Sequence, residues 1–514
     1  MNIKKILIGG FILFILFIAS PVQSIPLEIH GFLSQGYLQT DRGDYMVKTD
    51  DGTFKFNEMG FNVSNDISED IRLGIQFISK SFGDLSENTS NVDWAYADYR
   101  WRNYLGFRFG RIKVPFGLYN EIRDIDMLRT SIFLPSCIYS ESWRDTLKSI
   151  DGVGLYGYLS LNALGDINYQ ALTGHQHLSI DGGIAHYIER IGTFEITSLE
   201  AKKSYIGSVI WDLPIEGLSI GSSFLSNKFI EKSMIGDDFL YVPLRMATDT
   251  NAQLPEMLNQ IMYEKTGSLE TSKMISQNFI DLVIPQEYQK LDNKWPKEAI
   301  RNHHTVDFWI LSLRYQLGDF TLSAEHLDMK LHNSYFLDDI NLRRDSILWH
   351  AGGYYLSGTY NLQDWLEFGV YYSVFYDNKD DKSDEAYQKW NQLDSYKYSV
   401  AQLYQQSSKE IRKNFKNYAN AFFAQSGQNV VLSDKDVESI ELISNYEVNR
   451  IKYQDYNGWF KELVLSISSH INDQWTFKVE GHFIDGIALL DWTVNSGDIP
   501  RKRFLFASKV TFSF

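Results

Sequence analysis

The stretch RFLFASKVTFSF, Arg503 to Phe514, decides the fold of this chain. Apolar and polar residues alternate along it, which is the period-two pattern of a β-strand whose two faces meet different surroundings. The apolar face carries Phe504, Phe506, Val510, Phe512 and Phe514, and the polar face carries Arg503, Lys509, Thr511 and Ser513. An apolar strand at a sheet edge invites aggregation, whereas closing the sheet into a barrel removes the edge. The stretch therefore predicts the closing strand of a β-barrel that faces lipid on one side.

The amino-terminal segment predicts export. Lys4 and Lys5 precede an apolar run at 6–19, and Val22-Gln23-Ser24 follows as a small-residue cleavage site. The run is too short to span a bilayer. We therefore interpret 1–24 as a removed signal peptide and 25–514 as a single barrel domain. An uncleaved anchor is the alternative reading.

Composition agrees with a barrel and excludes several other classes. Aromatic residues make up 15% of the chain, with 31 Tyr and 33 Phe, as the interfacial girdles of a barrel require. The mean hydropathy of -0.27 is compatible with a membrane barrel, whose strands alternate apolar and polar residues. A formal charge of -16 argues against nucleic-acid binding. The single cysteine, Cys137, excludes an intramolecular disulfide and a cysteine-rich metal site. We predict no cofactor.

About sixteen segments alternate in the manner of strands, an even number within the range of single-chain outer-membrane barrels. Their predicted spans are 27–40, 53–65, 68–83, 92–102, 104–114, 151–161, 165–174, 203–213, 217–227, 305–317, 319–331, 346–360, 364–376, 459–471, 473–486 and 503–514. Every second connection is short and rich in turn residues, while those in between are long. Short turns on one rim and long loops on the other are typical of outer-membrane barrels.

The long connections are predicted to be extracellular. They are 115–150, 175–202, 228–304 and 377–458. The segments 228–304 and 377–458 are expected to be partly helical, since Pro255 suits a first helical turn and Ser383 can cap a helix that Gly427 would end. The prediction is an all-β transmembrane barrel with helical extracellular loop insertions. A partly disordered surface excursion is the alternative for these two loops.

Three motifs carry a family resemblance. DWAYADY at 93–99, FRFGRIKVPFGLYNE at 107–121 and DGVGLYG at 151–157 resemble strands of Gram-negative outer-membrane porins related to the phosphate-selective porin family. The resemblance implies a homotrimeric diffusion channel in the cell outer membrane, with about sixteen strands and one loop folded into the lumen. The implied partners are small hydrophilic or anionic solutes, outer-membrane lipid and lipopolysaccharide.

The segment 115–150 is the expected constriction loop. It mixes charges of both signs, and opposite charges facing across a pore produce a transverse field. Its basic residues are Arg123, Arg129, Arg144 and Lys148, and its acidic residues include Glu121, Asp124, Asp126, Glu141 and Asp145. The alternative is that these ions pair with one another and serve only to fix the loop in place.

Strand alternation also predicts basic residues on the lumen wall. Placing the apolar residues of the third strand toward lipid leaves Arg72 and Lys80 inside. Arg100 and Arg108 point inward on the next two strands, and a phase slip at Gly110 would bring in Arg111 and Lys113 as well. The predicted pore-lining set is Arg72, Lys80, Arg100, Arg108, Arg111, Lys113, Arg123, Arg129, Arg144 and Lys148. Such a set would weakly favour anions. Inward acidic residues oppose that preference; they are Glu28, Glu58, Asp98, Asp166, Asp212, Glu325, Glu367, Glu462 and Glu480.

Other functions find less support in the sequence. A barrel protease or phospholipase needs a nucleophile or water positioned by histidine and carboxylate, and the histidines show no diagnostic spacing. We predict no catalytic and no metal-binding residues. An adhesin or scaffold that binds through the long loops is the other alternative. Tryptophans at strand ends, such as Trp101 and Trp211, are expected to be interfacial anchors rather than a sugar-binding track.

Overall fold

A computed structural model gives the architecture. The residues that it describes are 27–83, 87–180, 182, 184–185, 194–235, 300–337, 342–380, 382, 414–417, 420, 432, 437, 455–490 and 500–514. Seventeen strand segments lie in one antiparallel sheet that closes on itself. Two of the segments pair with the same neighbour and form a single barrel strand, so the barrel has 16 strands. The predicted fold class is confirmed.

The strands occur in the predicted order. They are β1 (Glu28–Thr40), β2 (Phe56–Ser68), β3 (Ile71–Phe82), β4 (Glu87–Arg102), β5 (Leu105–Lys113), β6 (Ser149–Ser160), β7 (Asp166–Gln176), β8 (Phe194–Ala201), β9 (Lys203–Asp212), β10 (Leu218–Ile235), β11 (Ile300–Leu317), β12 (Phe320–Leu337), β13 (Leu342–Gln363), β14 (Leu366–Tyr376), β15 (Trp459–His470), β16 (Trp475–Gly486) and β17 (Lys502–Ser513). The segments β8 and β9 flank Lys202, whose backbone N–H donates to the carbonyl of Lys228 on β10. Each of the sixteen predicted segments overlaps an observed strand.

The barrel closes between β1 and β17. Leu33 pairs with Phe512 and Thr40 with Leu505, so the pairing extends over most of both strands. Phe514 exchanges two backbone hydrogen bonds with Gly31, at 2.9 and 3.0 Å. The closing strand predicted from RFLFASKVTFSF is therefore present, and neither β1 nor β17 is left as a free edge.

The two faces of the sheet differ in the expected way. On the outside, large apolar side chains remain uncovered, and Leu311 and Leu356 are 61% and 60% exposed. On β17 the inward residues Leu505 and Lys509 are buried, whereas Val510 lies outside. A closed barrel with such an apolar outer belt is the architecture of an outer-membrane protein, because every strand edge is paired and the outward side chains that lipid meets are mostly apolar. Among the described residues, no helix is long and apolar enough to cross a membrane.

Short and long connections sort to opposite rims. One rim, here named the short-turn rim, carries the turns at 69–70, 103–104, 161–165, 213–217, 318–319, 364–365 and 471–474. The other, the long-loop rim, carries the connections at 41–55, 83–86, 114–148, 177–193, 236–299, 338–341, 377–458 and 487–501, and all but the four-residue connections at 83–86 and 338–341 are longer than the turns of the short-turn rim. In outer-membrane barrels generally, short turns lie on the periplasmic rim and long loops on the extracellular rim.

Two of the predicted long connections are shorter in the structure. The connection predicted at 175–202 begins after Gln176 and ends before β8, which starts at Phe194. β10 continues to Ile235 and β11 begins at Ile300, so the connection predicted at 228–304 is shorter. Its predicted helix lies outside the described residues, as do the signal peptide at 1–24 and most of 377–458. Within 377–458, residues 415–417, 420 and 437 are helical.

Candidate functional site

The connection between β5 and β6, residues 114–148, folds into the barrel and is here named the inward loop. It contains two short helices, α1 (Ser136–Tyr139) and α2 (Arg144–Lys148). Its aromatic residues pack on inward side chains of the wall: Phe133 stacks on Phe56 at 5.3 Å, and Phe116 meets the edge of Phe308 at 5.7 Å. The hydrophobic core of the protein therefore lies inside the barrel, between the inward loop and the wall.

A network of opposite charges joins the first and last parts of the inward loop to the wall. We name it the charged cluster; it consists of Glu58, Lys80, Asp124, Asp126, Glu141, Arg144 and Lys509. Glu58 of β2 is its centre, because the cationic groups of Arg144, Lys509 and Lys80 lie 2.6, 2.8 and 3.9 Å from its carboxylate. Lys509 also reaches Asp126 at 2.8 Å. The carboxylate of Glu58 is thus shared among three cations.

Within the charged cluster, the loop binds to itself as well. Arg144 pairs with Asp124 and with Glu141, the latter at 3.3 Å. Glu141 also accepts from Lys80 of β3 and from Arg123, the latter at 3.0 Å. The segment around Asp124 and the segment around Arg144 are therefore held against each other and against β2 and β3.

Beside the charged cluster, Lys113 at the end of β5 links wall and loop. Its ammonium lies 2.6 Å from Asp124 and 3.3 Å from Asp93, which is fully buried on β4. Lys148 reaches the same Asp93 at 3.5 Å. The register of β3 and β4 shifts between Gln76 and Phe77 where it passes Asp93, and Gln76 donates to Asp93 at 2.9 Å. This bulge is what allows Asp93 to reach the cations.

The charges of the loop shift the pKa values of its acids. Burial opposes ionisation of Asp124, but the charges of Lys113 and Arg144 outweigh it and hold the pKa well below its ordinary value. Burial likewise opposes ionisation of Glu141, and Lys80, Arg144 and Arg123 together lower its pKa. These two carboxylates are therefore ionised at neutral pH, and their charges stabilise the folded loop.

Glu121 behaves differently from these two acids. Burial raises its pKa, and the opposing effects of Arg108 and of the hydrogen bond from Gln170 are smaller. The Gln170 amide lies 2.9 Å from the Glu121 carboxylate. Gln170 also accepts from Arg108 at 3.1 Å. Arg108, Gln170 and Glu121 therefore form a chain from the wall strands β5 and β7 to the loop.

On the opposite side, buried carboxylates of the wall accept hydrogen bonds from the loop. Glu325 of β12 accepts the backbone N–H of Leu118 at 2.9 Å, the hydroxyl of Tyr139 at 2.5 Å and those of Tyr355 and Ser312 at 2.8 and 2.6 Å. A buried carboxylate is tolerated where several donors satisfy its oxygens. Glu325 therefore fixes the beginning of the loop by hydrogen bonds rather than by ion pairs.

The middle of the loop, residues 131–137, is here named the loop tip. Glu480 of β16 accepts the backbone N–H groups of Ile132 and Phe133 at 2.9 and 3.0 Å. Glu462 of β15 accepts the N–H of Ser136 at 3.0 Å. Next to them Lys478 donates to the carbonyls of Asp126, at 2.5 Å, of Arg129 and of Ser131. The tip is thus held through its backbone.

The predicted pore-lining residues fall into three groups. Six lie within or against the inward loop and are ion-paired there: Lys80, Lys113, Arg123, Arg129, Arg144 and Lys148. Arg72 and Arg100 lie on the exposed wall near the short-turn rim, where Arg72 pairs with Glu28 at 2.7 Å. Arg108 faces the lumen from the middle of β5, while Arg111 does not. The side chain of Asp145 lies outside the described part.

Arg108 and Arg111 are three residues apart and face opposite sides. The Arg108 guanidinium lies 2.9 Å from Asp98 and 4.4 Å from the ring centroid of Tyr156, both inward. Arg111 forms a two-pronged pair with Asp151, whose side chain is 50% exposed and which lies on the outer face, two residues before the exposed Val153. Gly110 has a positive φ of +127°, and a Cβ at this position would lie 2.3 Å from the Ala95 carbonyl oxygen. The pairing register of β4 and β5 nevertheless does not shift at Gly110.

Sequence reasoning left out three inward residues that hold the loop. Lys478, His482 and Lys509 are all buried on β16 and β17. The signal that could have found them is parity: Lys478 and His482 share the face of Glu480, which alternation already placed inside. No rule of sequence, however, says which inward residue a distant loop will reach.

The described lumen is tightly filled at the charged cluster. A small cavity there, about the size of one water molecule, is lined by residues of the wall and the loop. Its lining includes Phe56, Glu58, Lys80, Arg123, Arg144 and Lys509. The interior of the barrel is therefore closely packed where the ion pairs of the charged cluster lie.

Comparisons with known proteins return barrels of the same kind. No protein-family model matches the chain, and no curated protein sequence matches it. Similar solved structures include outer-membrane-expressed OmpT of Vibrio cholerae, with 10% identity, coverage of 96% of this chain and 99% of that one, and a TM-score of 0.46. The outer-membrane channel DcaP of Acinetobacter baumannii has 11% identity, coverage of 95% and 97%, and a TM-score of 0.42.

An anion-selective porin from Comamonas acidovorans has 11% identity, coverage of 95% of this chain and 99% of that one, and a TM-score of 0.40. Identities and scores this low say nothing about the solute or the assembly of the present chain. Its assignment as an outer-membrane barrel rests on its own closed sheet and apolar belt.

Proposed function

We propose that the protein is an outer-membrane porin, a narrow channel for passive diffusion of small hydrophilic solutes. The observation that supports this proposal is the closed barrel with a charged loop folded into its lumen. A loop in that position sets the cross-section of the channel, and the groups facing the remaining space set its charge preference. The inward loop is accordingly the constriction loop of the channel.

We also propose that the channel favours anions weakly. Arg108 faces the lumen, and Arg72 and Arg100 are exposed near the short-turn rim, where they attract anions. The cations of the inward loop contribute less, because they are buried among several carboxylates and their fields largely cancel at a distance. The preference is weak because Arg72 and Arg108 are paired as well, with Glu28 at 2.7 Å and with Asp98 at 2.9 Å.

Further proposals concern the context of the barrel. A removed signal peptide at 1–24, a homotrimeric assembly, and contact of the outer belt with lipid and lipopolysaccharide go with a porin. They follow from the sequence resemblance and from the apolar outer face. We propose no enzymatic activity, and no described feature favours the adhesin or barrel-enzyme alternative over a channel.

The test is single-channel recording of the purified, folded protein in a planar bilayer with a potassium chloride gradient. Stepwise conductance is expected, together with a reversal potential of the sign that indicates anion preference. Absence of conductance from folded protein would overturn the porin proposal in favour of an adhesin or enzyme. Conductance with cation preference would overturn only the anion proposal.

A further inference from the structure

The loop tip docks on two carboxylates that share one histidine. His482 lies between Glu462 and Glu480, with Nδ1 3.3 Å from Glu462 Oε2 and Nε2 3.5 Å from Glu480 Oε2. All three side chains are fully buried, at 0% exposure. The same two carboxylates accept the backbone N–H groups of Ile132, Phe133 and Ser136. We name Glu462, Glu480 and His482 the tip anchor.

The geometry of the tip anchor favours a charged imidazole, because Nε2 faces Glu480 Oε2 at 3.5 Å and makes no other contact that would satisfy it. A neutral histidine carries a proton on one ring nitrogen and a lone pair on the other. With a carboxylate oxygen facing each nitrogen, that lone pair would point at a negative oxygen in a site closed to water. An imidazolium presents a donor to both carboxylates and offsets part of their charge.

Other titratable groups lie on the elements packed around His482. The rings of Tyr45, Phe133 and Tyr371 lie 6.3, 5.7 and 6.4 Å from the imidazole. Tyr45 belongs to the connection after β1 and Tyr371 to β14, and both feel the charges of Glu462 and Glu480. Lys478, on the same face of β16, donates to loop carbonyls. Cys137 of α1 is buried beside Ser373.

We propose that His482 is the positioning residue of the inward loop, and that loss of its proton releases the loop tip from the wall. This inference rests on the proposed channel, because the position of the tip would set the open cross-section. Once the imidazole is neutral, two buried carboxylates face each other across a lone pair. Hydration of the two carboxylates lowers the free energy of this state, and water reaches them only when the tip moves away from Glu462 and Glu480.

The chain carries its own probe for this movement. Cys137 is the single cysteine, it lies in the tip, and it is 0% exposed when the tip is docked. Burial raises the pKa of its thiol, so the docked form reacts slowly with thiol reagents. The rate of alkylation of Cys137 by iodoacetamide therefore measures the fraction of molecules whose tip is released, independently of conductance.

The experiment measures that rate from pH 6 to pH 11 on the folded, full-length barrel in detergent. Each rate is divided by that of urea-unfolded protein at the same pH, which removes the change in thiolate fraction. We expect a low plateau at neutral pH and a rise of roughly a hundredfold at alkaline pH, in view of the cost of breaking a buried ion pair. A flat normalised profile in the wild type would overturn the proposal, and this measurement needs no variant.

His482→Gln tests the assignment to this residue. Glutamine is neutral and, like neutral histidine, carries a donor nitrogen at one position and an acceptor at the other, so the variant should react fast at neutral pH with no further alkaline step. His350→Gln is the matched control: His350 pairs with Asp328 at 3.0 Å, and the neighbours Leu327 and Ala351 are buried inward, which places this pair on the outer face. The control should match wild type. A folded His482→Gln that keeps the wild-type profile would assign the alkaline step elsewhere and overturn the role of His482.

Parallel conductance recordings separate the two proposals. Labelling that rises with pH in a protein without conductance contradicts the channel and leaves the release of the tip standing. Conductance with a pH-independent labelling rate contradicts the release and leaves the channel standing. Both responses rising over the same pH interval would connect the position of the tip to the size of the pore.

Discussion

The charged cluster and the tip anchor hold the same loop by different means. In the charged cluster, side chains of the loop meet side chains of the wall, as Arg144 meets Glu58 at 2.6 Å. At the tip anchor the wall supplies side chains but the loop supplies backbone N–H groups, as Ile132 does to Glu480. Charged residue types in the sequence therefore predict contacts of the charged-cluster kind. Contacts of the tip-anchor kind depend on backbone position, so many different tip sequences could make them.

Removal of the central carboxylate of the charged cluster should have the largest effect. Glu58→Ala leaves Arg144, Lys509 and Lys80 without their shared partner inside the barrel. Breaking a buried ion pair by removing one partner typically costs about 3 to 5 kcal/mol. We expect the free energy of unfolding to fall by about that amount, measured by urea titration of tryptophan fluorescence in micelles.

The matched control for this variant is Glu28→Ala. Glu28 also pairs with an arginine, Arg72 at 2.7 Å, but both side chains are about half exposed, at 49% and 52%. Exposed pairs contribute roughly 0 to 1 kcal/mol, so this substitution should change stability little. Equal losses in the two variants would contradict the central role of Glu58.

The tip anchor should tolerate loss of a charge better than the charged cluster does. Glu480→Gln keeps an oxygen that can accept from Ile132 and Phe133 but removes the negative charge. Hydrogen bonds to charged groups contribute about 1.5 to 3 kcal/mol, of which the amide retains part. We expect a smaller loss than for Glu58→Ala in the same urea titration, together with faster alkylation of Cys137. A loss of stability as large as that of Glu58→Ala would contradict this difference between the tip anchor and the charged cluster.

Acid should loosen the charged cluster. The pKa values of Asp124 and Glu141 are lowered in the folded protein, so the stability that they contribute is present above the unfolded value of roughly 4 and is lost as pH falls through the folded values. Unfolding free energy should therefore be steady from pH 7 to about 5 and decline below about 4. In Asp124→Asn the decline of unfolding free energy with falling pH should be shallower. An identical slope would contradict a contribution of the Asp124 carboxylate to the acid dependence.

The smallest expected effect is on the charge preference of the channel. Only the arginine on the inner face of β5 should influence it. Arg108→Ser removes a cation that faces the lumen, so the reversal potential in a salt gradient should move toward cations. Arg111→Ser removes a cation paired with Asp151 on the outer face and should leave the reversal potential unchanged. Equal shifts in the two variants would contradict this placement of the two arginines.

Alternation predicted much of the fold and part of the site. It identified all sixteen barrel strands and the inward acids Glu58, Glu325, Glu462 and Glu480, because a strand with lipid on one side can turn its charges only to the other. Arg111 shows the limit of this reasoning. Gly110 suggested that the inward and outward positions exchange after it, but Gly110 takes a positive φ without any shift of the strand register, so Arg111 stays on the outer face. Loop length was also misjudged where β10 continues beyond the apolar pattern to Ile235.

The sequence by itself determined that this chain forms a closed, lipid-facing barrel with a charged connection after β5, since two-residue periodicity is a local property that each strand carries alone. The tertiary structure decided which charges neutralise one another. Glu58 and Lys509 are separated by most of the chain yet lie 2.8 Å apart, because closure brings β17 beside β1, next to β2. His482 acquires its role in the same way, from a loop more than three hundred residues earlier whose backbone settles on the carboxylates at its sides.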